Sequence, residues 1–443
     1  MKEKIKEIIT VNQSRDFGHL IKRDIAVSLF SNKILSVVGP RRAGKTHILY
    51  LLIQQAYAQG IKKEQIILIN FEDERLISDD FSFDLILQAY QELFPQFSLH
   101  ECFFFFDEIQ NFLYWEKFVR RLYDDHTKNI VVTGSNASFL STDIATSLRG
   151  RALAIEVLPL SFQEFLSFKG IEPNSYSATG KALAINAFRE YLTQGGFPEL
   201  VKMDMPLKKK VLQEYFNVMI YRDLVERFQI SQTLLLKYFI KKIFLSVGKP
   251  LSINKIYNDF RSNKYSVGKN TLYDFLGYVK DAYVITTIDK FDFSEMKREN
   301  TEKKAYATDW GLLSAVEYSS SEDFGKLFEN LVVLEFKKLQ HKIYFFKQLK
   351  ECDLVVEIVS STLIPVQVMY KSKKGDTLNR ELAGLKEASD FLKADHGIII
   401  TMDQEEELRY KNLSIKMIPA YKFFSLKRQQ QENFLSSKLP VSD

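Results

Sequence analysis

The feature that most limits what this chain can fold into is a strand, turn and helix near its start. Ile34-Leu35-Ser36-Val37-Val38 reads as a buried strand. It runs into the turn Gly39-Pro40-Arg41-Arg42-Ala43-Gly44-Lys45-Thr46, and an apolar helix follows to about Ala58. The turn matches G-x-x-x-x-G-K-[ST] in the context that pattern requires, after a strand and opening a helix. Glycines let successive backbone N–H groups turn inward around phosphate oxygens, and the helix N-terminus adds positive potential. Lys45 would reach the β- and γ-phosphates of a nucleoside triphosphate, and the Thr46 hydroxyl would ligate Mg²⁺. Gly39, Pro40, Arg41, Arg42, Ala43, Gly44, Lys45, Thr46 and the following His47 are therefore expected to line an ATP site.

A second pattern agrees in order and type. Phe103 to Phe106 run into Asp107 and Glu108. A strand this apolar belongs in the middle of a sheet and delivers two carboxylates at its C-terminal edge, where ligands bind in open α/β sheets. Asp107 would hold Mg²⁺ through water, and Glu108 would act as general base on the attacking water. A third strand, Ile130 to Thr133, ends in Gly134-Ser135-Asn136. Asn136 or Ser135 is placed to bond the γ-phosphate or the water; a capped turn into the next helix is the other reading. With Gln65–Asn70, these apolar strands alternate with helical stretches. That pattern predicts a parallel sheet covered on both faces, so residues 1–160 form one α/β domain, with residues 1–30 expected to be helical.

The rest of the chain is too long for a single core. It has 443 residues, 46% hydrophobic, with a formal charge of +5. Residues 161–230 are helical in pattern and predict a lid. Residues 231–290 carry ten Lys and Arg against four acids, a local net charge of +6. Helices at 233–246, 252–261 and 267–280 before a strand at 283–288 predict a winged helix. Lys264, Lys269, Asn270 and Tyr273 would meet DNA; packing alone is the competing role. The charged stretch 291–304 is expected to be a linker. The part from 305 to 443 mixes helices (326–339, 378–393) with strands (343–347, 353–359, 363–369, 397–401). Cys102 and Cys352 sit in apolar runs and are expected to be buried thiols, which excludes a disulfide framework. The charged Met1–Thr10 stretch is no signal peptide and no apolar run is long enough for a bilayer, so a cytoplasmic protein with no membrane partner is expected.

Together the motifs resemble the bacterial and archaeal AAA-like ATPases that carry a C-terminal domain of unknown function. The resemblance spans nearly the whole chain: GPRRAGKT at 39–46, NFED at 70–73, FFDEIQ at 105–110, TGSNASFL at 133–140, LRGRALAIEVLPLSFQEF at 148–165, GGFPE at 195–199, YRDLVER at 221–227 and GKLFEN at 325–330. It implies a P-loop AAA-like ATPase core with a helical lid, a winged-helix domain and a C-terminal nuclease-like α/β domain. It also implies that Arg149 or Arg151 contacts the γ-phosphate, in its own chain or from a neighbouring copy in a homo-oligomer; a structural role for each is the competing reading. The nuclease-like domain would need a helix Glu, a strand Asp and an acid-x-Lys triplet. Glu329 and Asp353 fill the first two places, but the triplet reads Gln367-Val368-Met369, with Lys371 two residues on. A degenerate nuclease fold is expected. The ATP cycle would gate engagement of DNA; a nucleotide switch acting on a protein partner, or an ATP-dependent nuclease, are the alternatives.

Overall fold

The computed structural model describes residues 1–25, 27–137, 148–172, 177–316, 321–358, 362–370 and 376–437. The chain divides into two compact units, one of residues 1–158 with 281–283 and the other of residues 159–280 with 284–443.

The first unit is built on five parallel strands: β1 (Ile34–Val38), β2 (Ile66–Asn70), β3 (Phe103–Asp107), β4 (Ile130–Gly134) and β5 (Ala152–Glu156). Their spatial order is β2-β3-β4-β1-β5, and every pairing is parallel. Strand alternation divides the phenylalanines of β3 between two cores. Phe104 and Phe106 pack with α1 (Lys2–Gln13), α3 (Asp84–Leu93) and α4 (Trp115–Asp125). Phe103 and Phe105 face α2 (Lys45–Ala58) through Ile48, Leu49, Leu52 and Ile53. All four rings are buried, each worth roughly 1.5–3 kcal/mol of apolar transfer. Such a strand has no face to offer water, which is why it sits inside the sheet. The helix expected over residues 1–30 is shorter: α1 ends at Gln13. The Asp16 carboxylate then accepts from Gly18 N, the kind of local side-chain bond that favours a turn over a helix.

Register sets the site. Asn70 pairs with Asp107, and Val38 pairs with both Gly134 and Glu156. The residues that follow β1, β3 and β4 therefore emerge side by side at one edge of the sheet.

The second unit opens with α5 (Phe162–Phe168), α6 (Ala178–Gln194) and α7 (Met205–Val218), followed by a π-helical stretch, Met219–Glu226. Next come α8 (Thr233–Leu245), α9 (Ile253–Ser262) and α10 (Lys269–Asp281), close to the three helices expected there. The strands β6 (Ile285–Lys290) and β7 (Lys303–Ala307) form an antiparallel hairpin. The stretch 291–304 is not a free linker, because it holds α11 (Glu295–Asn300) and the first residues of β7. Nor does the sheet break there. β6 pairs with β8 (Lys342–Lys347), and the sheet continues through β9 (Glu351–Ile358), β10 (Thr362–Met369), β11 (His396–Thr401), β13 (Leu413–Pro419) and β12 (Glu406–Tyr410). One eight-stranded sheet thus runs across the expected boundary between 290 and 305. The helices of this region include α12 (Gly311–Ala315), α13 (Ser321–Lys338) and α14 (Asp376–Leu392), with α14 over a core that includes Cys352, Met369 and Leu385. Among the described residues no helix is long and apolar enough to cross a membrane.

Candidate functional site

At the C-terminal edge of the first sheet the turn after β1 requires its glycines. A Cβ on Gly39 would lie 2.0 Å from the Val157 carbonyl oxygen. Gly44, the N-cap of α2, has φ 99°, where an L side chain is strained. Arg42 also stands at positive φ, 62°. Arg23 braces the turn from behind, donating to the Ala43 carbonyl at 2.8 Å and to the Leu158 carbonyl at 2.9 Å. Arg41 pairs with Glu72 at 2.8 Å, so two of the sequence marks, GPRRAGKT and NFED, meet. His47 Nε2 lies 2.8 Å from the Ile21 carbonyl oxygen. That ring nitrogen donates to backbone and ties His47 to the N-terminal segment.

Asp107, at the end of β3, reaches in two directions. Its Oδ2 accepts from the Thr46 hydroxyl at 2.8 Å, and its Oδ1 accepts from the Thr133 hydroxyl at 2.5 Å. Thr133 in turn accepts from Glu108 N at 2.8 Å. Glu108 stands in the left-handed region, φ 50°, a conformation that costs a non-glycine residue roughly 1–3 kcal/mol and persists only where the surroundings enforce it. Its carboxylate is buried between two partners. Oε1 lies 3.1 Å from Lys45 Nζ, and Oε2 accepts from Gln110 at 2.6 Å. Lys45 also donates to the Pro40 carbonyl at 3.2 Å.

The two adjacent acids differ in proton affinity. Burial pushes the Asp107 carboxyl up, and the Glu108 charge adds to that against the bonds from Thr133 and Thr46. Burial pushes Glu108 up as well, but the Lys45 charge and the bonds from Gln110 and Lys45 outweigh it, leaving Glu108 below its ordinary value. Glu108 is therefore favoured in its ionised form, the form in which a carboxylate can accept a proton.

The groups present fit a phosphate chain with Mg²⁺. The Thr46 hydroxyl gives its proton to Asp107 at 2.8 Å, which leaves its oxygen lone pairs for Mg²⁺, while Asp107 would hold the ion through water. Mg²⁺ commonly keeps its remaining sites for water and substrate oxygens. Lys45 would be the counter-charge on the phosphates.

The structure brings Lys45, Thr46, Asp107, Glu108 and Ser135 together, with Asn136 buried just beyond β4. It does not bring Arg149 or Arg151 to them. Arg151 precedes β5, where its carbonyl accepts from Ile34 N at the start of β1, and its Nε pairs with Asp124 at 2.8 Å. Because β5 runs parallel to β1, both arginines lie at the opposite edge of the sheet, a strand length from Gly39, and neither can touch a phosphate held by its own chain. Ser138 to Leu140 of the TGSNASFL segment lie outside the described residues.

A second constellation lies in the C-terminal sheet. Lys304 of β7, fully buried, places its ammonium 2.8 Å from Glu351, 3.4 Å from Glu329 and 3.9 Å from Asp353. Tyr306 donates to Glu329 at 2.8 Å. Gln367 accepts from Asp353 N at 3.2 Å and donates to Glu381. Met369 belongs to the core beneath α14. Lys371 lies outside the described residues. Sequence reasoning missed Thr133, Gln110 and Lys304. Gln110, inside FFDEIQ, and Thr133, which opens TGSNASFL, lay within marked segments; Lys304 carried no local signal.

A family model described as "AAA domain" matches residues 31–166. Two described as domains of unknown function, DUF8612 and DUF4143, match residues 185–323 and 324–423. The "Uncharacterized protein MJ1544" of Methanocaldococcus jannaschii is 33% identical over 425 residues, 91% of each chain. The chain belongs to that protein's family. An uncharacterized protein of Haemophilus influenzae is 30% identical over 342 residues, 76% of this chain and 82% of its own length. Within this family the site described above falls inside the AAA domain. Among solved structures, that of the Aeropyrum pernix ORC1 protein in complex with DNA is similar at TM-score 0.30 and 10% identity, covering 71% of this chain and 90% of that one.

Proposed function

We propose that this chain is a Mg²⁺-dependent ATPase whose nucleotide cycle gates a conformational change through which it engages DNA. The observation that carries the ATPase reading is the chain of contacts Lys45–Glu108, Glu108–Thr133, Thr133–Asp107 and Asp107–Thr46. It joins the phosphate turn, both acids and the neighbouring strand. Lys45 would bind the β- and γ-phosphates, and Thr46 and Asp107 would hold Mg²⁺. The ion would neutralise charge on the phosphate oxygens. Glu108, ionised and fixed at a strained backbone position, would take the proton of the attacking water. Lys45→Ala is expected to lose nucleotide binding. Glu108→Gln is expected to bind Mg²⁺–ATP as wild type yet turn it over about 10²-fold more slowly or worse. Wild-type turnover by Glu108→Gln would remove Glu108 as the base.

The DNA reading rests on the local charge of +6 over 231–290 and on three helices followed by the β6–β7 hairpin, the layout of a winged helix. Lys264, Lys269, Asn270 and Tyr273 are all exposed, as phosphate and base contacts must be. A switch acting on a protein partner is the alternative, separated by the absence of salt-dependent DNA binding. Arg149, exposed at positive φ, and Arg151 would serve the site of a neighbouring copy in a homo-oligomer. The C-terminal sheet we read as a degenerate nuclease-like fold. A nuclease needs carboxylates free for a divalent ion, whereas here the Lys304 ammonium already sits among Glu329, Glu351 and Asp353.

A further inference from the structure

Gln110 follows Glu108 by two residues on a short 3₁₀ turn, Ile109–Asn111. Its side-chain nitrogen donates to Glu108 Oε2 at 2.6 Å and to Ser135 Oγ at 3.3 Å. The carboxylate can only accept, so the amide orientation is fixed with nitrogen toward Glu108. Its oxygen, Oε1, is then buried with no donor among the described residues. A buried acceptor left without a partner costs about 1–3 kcal/mol, and functional sites are where such vacancies are tolerated.

The Glu108 carboxylate is also held by Lys45, with the Arg41 charge favouring its ionised form as well. Its Oε1 lies 3.1 Å from Lys45 Nζ. A triphosphate carries more negative charge than one carboxylate and competes for that ammonium. Once Lys45 turns to the phosphates, Oε1 of Glu108 is released while Gln110 keeps its bond to the other carboxylate oxygen. The freed Oε1 and the vacant Gln110 Oε1 are two acceptors on neighbouring side chains, and a water molecule has two protons to give.

We propose that Gln110 is the positioning residue of the hydrolytic step. Its amide nitrogen holds Glu108 in place as Lys45 leaves, and its carbonyl oxygen orients the attacking water for Glu108 to deprotonate. Ser135, the residue after β4, braces Gln110, so the strand that carries Thr133 also sets the reach of the water-binding oxygen. This inference rests on the ATPase reading above and assigns a role inside it.

The test uses the full chain and two readouts: affinity for a fluorescent, non-hydrolysable ATP analogue with Mg²⁺, and kcat for ATP. Gln110→Met keeps the volume and removes both polar groups. It is expected to lower kcat about 10–100-fold while the analogue Kd stays within about threefold, the signature of an interaction used only in the transition state. Gln110→Glu keeps an acceptor but sets a second carboxylate against Glu108, and is expected to be slower than Gln110→Met. Ser135→Ala leaves the Gln110–Glu108 bond and is expected to lose less, with the same split. A melting curve on each variant separates misfolding from loss of positioning. Gln110→Met with wild-type kcat, or with weakened analogue binding and unchanged kcat, overturns the proposal while the ATPase reading stands. A wild-type chain that binds no nucleotide overturns both.

Discussion

Thr133 is the side chain on which both candidate acids depend, and replacing it with valine tests the site as a construction. Valine fills nearly the same volume in a fully buried position, so the cavity term is small and the hydroxyl alone is removed. Two bonds go with it, the one from Glu108 N at 2.8 Å and the one to Asp107 Oδ1 at 2.5 Å. An orphaned buried N–H costs about 1–3 kcal/mol, and a lost hydrogen bond to a charged group about 1.5–3 kcal/mol. Relaxation of Glu108 out of its left-handed conformation returns ~1 kcal/mol or more of that. The net expectation is about 2–4 kcal/mol of lost stability in the first unit. Activity should fall further than stability implies, because the relaxed backbone carries the Glu108 carboxylate away from Lys45 and Gln110. The chain has two tryptophans, and Trp115 is the one in the first unit, buried in its core. In a Trp310→Phe background Trp115 fluorescence in a urea titration reports that unit. Thr133→Ser, which keeps the oxygen, is the control and should stay near wild type. A Thr133→Val midpoint within ~0.5 kcal/mol of the parent, with unchanged turnover, would refute the reasoning, since it lies inside the scatter of neutral substitutions.

Three further outcomes are expected. DNA binding by the full chain should weaken steeply with salt, and Lys264→Glu with Lys269→Glu should reduce it at least about tenfold at ~0.1 M salt; binding that ignores both salt and the charge reversals removes the winged-helix reading. Linear or supercoiled DNA should stay intact with Mg²⁺ or Mn²⁺, with and without ATP, because Lys304 occupies the carboxylate cluster and Met369 is core; cleavage that disappears in Asp353→Ala would establish the nuclease instead. Asp309, buried and bonded by Gly196 N at 2.7 Å and Gly311 N at 2.8 Å, has its carboxyl pushed by burial from 3.8 to about 6. The folded state then holds a proton the unfolded chain has released, so stability from this group is greatest below pH ~4, falls as pH rises to ~6, and is level above, a change of about 3 kcal/mol. Denaturation of wild type and Asp309→Asn at several pH values should show the wild-type advantage shrinking over that window; a constant gap refutes it.

What the sequence made legible was whatever is written in consecutive residues. The phosphate turn, the alternation that buries Phe103 to Phe106 on two faces, and the pair Asp107-Glu108 all follow from local pattern. The order of strands does not. β4 inserts between β1 and β3, and only that insertion puts Thr133 beneath both acids, so nothing in Ile130 to Asn136 marked the threonine above its polar neighbours. Direction matters in the same way. Arg149 and Arg151 look close to the core's end in sequence, yet they precede a strand parallel to β1 and so enter at the edge opposite the phosphate turn of their own chain. The charged stretch 291–304 shows the deeper limit. A run of Lys, Arg and Glu reads as solvated because charges are costly to bury unpaired, and the sequence does not say which charges will be paired. Lys304 is buried at no exposed area because Glu351 and Asp353 on β9 and Glu329 on α13 converge on it. The cation is legible as a residue and illegible as a partner, since its burial is decided by carboxylates that only the folded sheet brings near.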